Sequence, residues 1–155
     1  MKTITKTLIL IMALFFFSPL HAQLTKSKLS SACMDYLREQ GYVPTLTEVG
    51  NNISFKAEGN TFVLQLSEED PECLILALYG WEFDDSNEKA KAYVAANKVN
   101  WDKKMGRAAV VEEDNGMYFD TWNLIRSTDD VKFYFPRMLS TVKSLVSSFR
   151  AEMNK

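Results

Sequence analysis

Two acidic runs hold most of the side chains that could do chemistry. "SEEDPE", from Ser67 to Glu72, places four carboxylates in six residues, and Glu112, Glu113, Asp114 and Asp120 form a second group around "EEDNG". Clustered carboxylates can ligate calcium, and a spaced pair can serve as acid and base in glycoside hydrolysis. Neither run has the D-x-[DN]-x-[DN]-G spacing of a calcium loop, and neither has a nucleophile and a base arranged beside it. Asp70-Pro71 and Asn115-Gly116 are turn chemistry, so both runs read as solvated connections between strands. The sequence therefore leads us to expect no catalytic residue, no metal ligand and no cofactor.

The N-terminus bears on the chemistry as well. Lys2 and Lys6 form a basic segment, "LILIMALFFF" (Leu8 to Phe17) an apolar one, and "SPLHA" a helix-breaking stretch that ends in a small residue. This is the pattern of a secretory signal covering residues 1–22, cleaved after Ala22. The apolar run is shorter than the about 20 residues of a membrane span, and no cysteine near the cut offers a lipid anchor. A periplasmic or secreted domain, residues 23–155, with no stable membrane insertion, is the expectation.

Cleavage would remove two of the 18 basic residues and the one histidine, His21, while leaving all 20 acidic residues. Imidazole is then absent as general base, triad member or zinc ligand. An acidic chain with interspersed charges also lacks the clustered basic footprint of a nucleic-acid surface.

Cys33 and Cys73 would lie in an oxidising compartment, which permits a disulfide. In "LSSACMDYLREQG", Leu29, Ala32, Cys33, Tyr36 and Leu37 form one helical stripe, so Cys33 faces the core. Cys73 opens a strand whose core set is Leu74, Leu76 and Leu78, which turns Cys73 to the other face. Buried thiols, each behaving as a small apolar group, are the competing reading.

The elements that position these residues follow from periodicity. A helix from about Thr25 stops at Gly41, and "YVPTLTEV" reads as a weak first strand. Ile53, Phe55 and Ala57 alternate with polar residues, as do Phe62, Leu64 and Leu66 beyond Gly59-Asn60, giving a hairpin. Pairing Leu66 with Leu74, Leu64 with Leu76 and Phe62 with Leu78 sets six apolar residues on one face across "SEEDPE".

Asp85 and Glu88 form a capping box for a second helix, whose buried stripe is expected to be Ala90, Tyr93, Val94, Asn97 and Trp101. Asn97, with Asn100 nearby, is expected to bond backbone groups where that helix meets the sheet, because an unpaired buried amide is costly. "RAAVV" and "MYFDTWNLI" form a second hairpin. Val131, Tyr134, Phe135, Met138, Leu139, Val142, Leu145, Val146 and Phe149 keep a helical rhythm across Pro136, which either kinks one helix or opens a second. The expected architecture is a single-domain α+β fold. Its antiparallel sheet is a three-strand meander plus a C-terminal hairpin, packed with three helices in the order α-β-β-β-α-β-β-α.

The third strand is apolar on both faces, since Ile75, Ala77 and Tyr79 alternate with its leucines and Trp81 follows in phase. Such a strand is either covered twice or part of a binding surface. Exposed apolar patches are uncommon, which favours the covered face; the functional alternative is a partner-binding face of Val63, Ile75, Tyr79 and Trp81.

From "LREQGYVPT" to "FRAEM" the chain resembles the YbjN family, whose fold is related to the chaperones of type III secretion. The resemblance rests on Gly41-Tyr42, on "ISFKAEGNTFVLQLSEED" with an acid before the third strand, on "AANKVNWDKK" with Asn97 and Asn100 before a basic stretch, and on the closing helix. It implies a protein-binding or regulatory module without enzymatic activity, of the kind called a sensory-transduction regulator, here in an exported form. Its partner would be another protein or a second copy. The alternative is a cone-shaped α+β protein that holds a small ligand in a pocket lined by Trp101, Trp122 and Tyr118.

Overall fold

Thr25 starts the first helix and Gly41 ends it. A computed structural model describes residues 25–48, 52–67 and 72–155; the expected signal segment and residues 68–71 of "SEEDPE" lie outside the described residues. In α1, Lys26–Glu39, the Thr25 hydroxyl accepts the Lys28 N–H. Gly41, at φ +83°, lets the Tyr42 and Gly41 N–H groups return to the Leu37 and Arg38 carbonyls, satisfying orphan acceptors at the helix end. Leu29, Cys33, Tyr36 and Leu37 are its buried side. Burial pushes the Cys33 thiol up to about 12, so it stays a packing group. Cys33 and Cys73 are not bridged.

Six strands form one antiparallel sheet in the order β1-β2-β3-β4-β6-β5, from β1 (Thr45–Leu46), β2 (Ile53–Ala57), β3 (Asn60–Leu66), β4 (Cys73–Glu82), β5 (Arg107–Val111) and β6 (Gly116–Leu124). The meander and the C-terminal hairpin join through the β4–β6 pair. The weak first strand is present as the two-residue β1, which adds an edge strand to the expected order. Glu58 and Gly59, both at positive φ, make the two-residue β2–β3 turn. Across β3 and β4 the register is the expected one: Leu66 opposite Leu74, Leu64 opposite Leu76, Phe62 opposite Leu78.

The helices α2 (Ser86–Asp102) and α3 (Thr128–Met153) share the leucine-bearing face of the sheet with α1. One helix runs unbroken through Pro136, which is exposed, and Asp130 accepts the N–H groups of Arg126 and Ser127 at its start. Phe55 and Phe62 stack at 5.6 Å, Phe135 packs on Phe55, and Phe119 meets Phe149 edge-on at 5.4 Å. These rings fill the space between sheet and helices.

Helix α2 departs from the expected stripe. Its buried residues are Ala92, Ala95, Ala96 and Val99, while Tyr93, Val94, Asn97 and Trp101 are exposed. Small side chains let α2 lie close to β5 and α3, and the larger stripe points to solvent. Asp85 does cap the helix, accepting from Asn87 and Glu88 at 2.8 Å each.

Candidate functional site

All three helices pack on one face of the sheet, and among the described residues no element packs on the other. The covered arrangement expected for the second face of β4 is thus not what forms. Because side chains alternate along each strand, the register fixes what this second face displays. One row across the sheet is Val63, Ala77, Asp120 and Arg107; the next toward one end is Gln65, Ile75 and Trp122, followed by Cys73 and Leu124. On the opposite side lie Tyr79, Tyr118 and Ala109.

Two zones result. In the first, the rings of Tyr79 and Tyr118 pack at 4.7 Å, and both hydroxyls reach Gln65, whose Nε2 donates to Tyr79 at 2.8 Å and whose Oε1 accepts from Tyr118 at 3.3 Å. To do so the rings lean across Ala77, which is buried completely although no helix covers it. The guanidinium of Arg107 bonds the buried Asp120 carboxylate at 2.6 Å and lies 5.4 Å from the Tyr118 ring centre. Burial first, and then the charge of Asp120, hold the Tyr118 hydroxyl well above the usual tyrosine range. It therefore remains a protonated donor within a hydrogen-bonded frame.

The second zone is apolar and open. Trp122 is 61% exposed, Leu124 49% and Tyr79, at its border, 48%, with Val63 and Ile75 half-buried beside them. Val63, Ile75 and Tyr79 of the expected partner-binding face are thus brought together. Trp81 is not. A β-bulge between Gly80 and Glu82 inserts Trp81 as an extra residue at φ +69°, and a one-residue shift reverses the face. Its ring packs edge-on against Phe149 at 5.1 Å on the helix side, and its Nε1 donates to Glu88 at 3.1 Å. The carbonyl of Trp81 would lie 2.8 Å from a Cβ at position 116, which is why the following hairpin needs Gly116. Trp122 and Leu124 are what periodicity should have added, since they alternate with Asn123 and pair with Ile75 and Cys73.

The edges of this sheet are blunted against strand addition in two ways. At one side β1 is only two residues long. At the other, the Asn100 amide donates to the Ala108 carbonyl and accepts its N–H, both at 2.8 Å, so a side chain occupies the position of a seventh strand. The expected role of the asparagine pair belongs to Asn100; Asn97 faces solvent.

Trp101, Trp122 and Tyr118 do not form the pocket of the small-ligand alternative. Trp101 stands on α2 at 84% exposure, whereas Trp122 and Tyr118 lie on the helix-free face of β6. Trp101 and Trp122, so exposed and on different faces, are not the walls of an enclosing cavity. The second acidic group is also divided: Asp120 is buried against Arg107, while Glu112, Glu113 and Asp114 sit in the exposed β5–β6 turn. Among the described residues no three His, Cys, Asp or Glu side chains gather to hold a metal ion, and no helix is long and apolar enough to cross a membrane.

No family model and no curated protein matches the chain. Among solved structures it is similar to a chain of the HopA1-SchA chaperone-effector complex, with a TM-score of 0.54 and 13% sequence identity. The match covers 85% of this chain and 99% of that one. At that identity the likeness is one of fold: a helix-covered antiparallel sheet of the kind present in a chaperone-effector assembly.

Proposed function

We propose that this protein is a non-enzymatic, chaperone-like binding module that holds a partner polypeptide on the helix-free face of its sheet. The observation that carries this reading is the apolar zone of Val63, Ile75, Trp122 and Leu124, bordered by Tyr79. Contiguous exposed apolar surface is uncommon on soluble monomers, and aromatic residues in such patches are the side chains that most often anchor binding. The Tyr79–Gln65–Tyr118 network and the Arg107–Asp120 pair would give the patch a rigid polar rim that orients the partner. Blunted sheet edges favour docking on the face over addition of a strand. The fold shared with a chain of a chaperone-effector complex supports the same reading.

We further propose that the module acts outside the cytoplasm, periplasmic or secreted, after loss of residues 1–22. The pattern of "LILIMALFFF" followed by "SPLHA" supports this, and N-terminal sequencing of the exported protein should begin at Gln23. Kinship with the YbjN family, and a regulatory role, belong to this proposal and rest on the residues quoted for the resemblance.

A photoreactive side chain placed at Trp122 tests the face, with one at Val94 as control. Val94 is 71% exposed on α2, outside the patch. Position 122 should yield a discrete crosslinked species, a partner or a dimer of this chain, that position 94 does not. Equal adducts from both positions, or none from 122, would sink the assignment of the face.

A further inference from the structure

On the helix side, across the sheet from the apolar zone, the α2–β5 loop and α3 border an open cleft of about 390 Å³. Three cationic residues line it, Lys103 and Lys104 from the loop and Arg137 from α3, together with Ser140, Thr141 and Ser144 along the same stripe of the helix. The chain as a whole is acidic, with 20 carboxylates against 18 basic residues, and several of its other cations are paired, Lys98 with Glu152, Lys143 with Glu58, Lys89 with Glu112 and Arg107 with Asp120, whereas Lys28, Lys56, Lys91, Arg126 and Arg150 form no ion pair among the described residues. Among the described residues, no carboxylate forms an ion pair with Lys103, Lys104 or Arg137. Asp102 is the one acidic residue lining the cleft.

The loop that presents the lysines is held in place. The buried Thr121 hydroxyl donates to the Met105 carbonyl at 2.6 Å. Gly106 is wedged so closely that a Cβ there would lie 2.6 Å from the Asp120 carbonyl and 2.7 Å from Leu145. Like charges on an anchored loop repel one another. A tetrahedral oxyanion would neutralise them and accept from the neighbouring hydroxyls.

We propose that this cleft binds a phosphate group, as a monoester or diester, between Lys103, Lys104 and Arg137. A cleft of this size takes more than the anion alone, and the exposed Met105 in its wall offers apolar contact to whatever carries it. The group could be the head of an anionic lipid or a soluble phosphorylated compound; the chemistry at the cleft is the same.

The test titrates the mature chain with sodium phosphate, following backbone amides by NMR, and measures flotation with vesicles of phosphatidylglycerol against phosphatidylcholine. Arg137→Gln with Lys104→Gln is the variant; both positions are exposed, and an unchanged melting curve verifies its fold. Saturable shifts at Lys103 to Gly106 and at residues 137–144, weakened about tenfold or more in the variant, are expected. Shifts accompanied by variant-sensitive flotation assign the group to a lipid head, and shifts without flotation to a soluble ligand; both support the cleft. Absence of local shifts and of flotation, or responses unchanged in the folded variant, overturns it. None of these residues lies on the helix-free face, so the outcome is separate from that of the crosslinking experiment.

Discussion

Strand β4 is apolar on both sides, yet its two faces behave as different materials. Leu74, Leu76 and Leu78 are buried beneath three helices, against phenylalanines from β2, β3, β6 and α3. On the opposite side, Ile75 is half-buried, Ala77 is buried although no helix covers it, and Trp122 and Leu124 of β6 remain open. The covered face gains its energy from apolar area removed from water, about 25 cal/mol per Å². The open face leaves that gain unrealised, and holds its shape with hydrogen bonds and one ion pair. Apolar sequence is therefore not the same as core; what differs between the faces is the supply of helices.

The largest effect expected from this contrast is on the covered side. Phe149 touches both Phe119 and Trp81, so Phe149→Ala removes a ring from the junction of α3, β6 and the bulge. A cost of about 3–5 kcal/mol is expected in denaturant unfolding, from lost transfer energy and the cavity left behind. A loss below about 1 kcal/mol would show that the helix layer is loosely packed and would erase the distinction between the faces.

The comparison also shows where a sequence is legible. The β3–β4 register could be read because a slip of one residue would turn six apolar side chains to the wrong face. The ends of α1 could be read because Thr25 and Gly41 have capping chemistry specific to their positions. Trp81 could not, because a non-glycine residue at φ +69° in a bulge leaves no periodic trace and reverses the side chain that periodicity assigns. On α2, two stripes with the same three- and four-residue spacing compete, one of Tyr93, Val94, Asn97 and Trp101, the other of Ala92, Ala95, Ala96 and Val99. Hydrophobicity favours the first, but close approach to β5 requires small residues. The Asn in the larger stripe was the sign that it faces water. Trp122 and Leu124 were visible as alternate residues of "MYFDTWNLI", but whether a helix covers them is settled by tertiary topology and not by local pattern.

A smaller effect is expected at the border between the faces. Asn100 satisfies both backbone groups of Ala108, a buried residue on the outermost strand. Asn100→Ala should cost about 1–3 kcal/mol, since a donor and an acceptor lose their partner together. Amide exchange at Ala108 should accelerate well beyond that at Phe119, on the adjoining strand. If exchange at the two positions rises equally, Asn100 supports the fold as a whole and does not specifically close the edge.

The smallest stability effect belongs to the open face, and it is the sharpest test of the comparison. Trp122 is as large as any ring in the core, yet it is 61% exposed and its cross-strand neighbour is the half-buried Ile75. Trp122→Ser should therefore change unfolding free energy by less than about 1 kcal/mol, the range of a cross-strand pair on a half-solvated surface. Binding should respond far more: truncating a central aromatic anchor costs about 2 kcal/mol or more, roughly thirtyfold in affinity. The two losses, measured on one variant by chemical denaturation and by titration with the crosslinked partner, should thus differ in rank from those of Phe149→Ala, which weakens the fold itself. A variant at position 122 that unfolds as readily as one at 149 would mean that the second face is already part of the core.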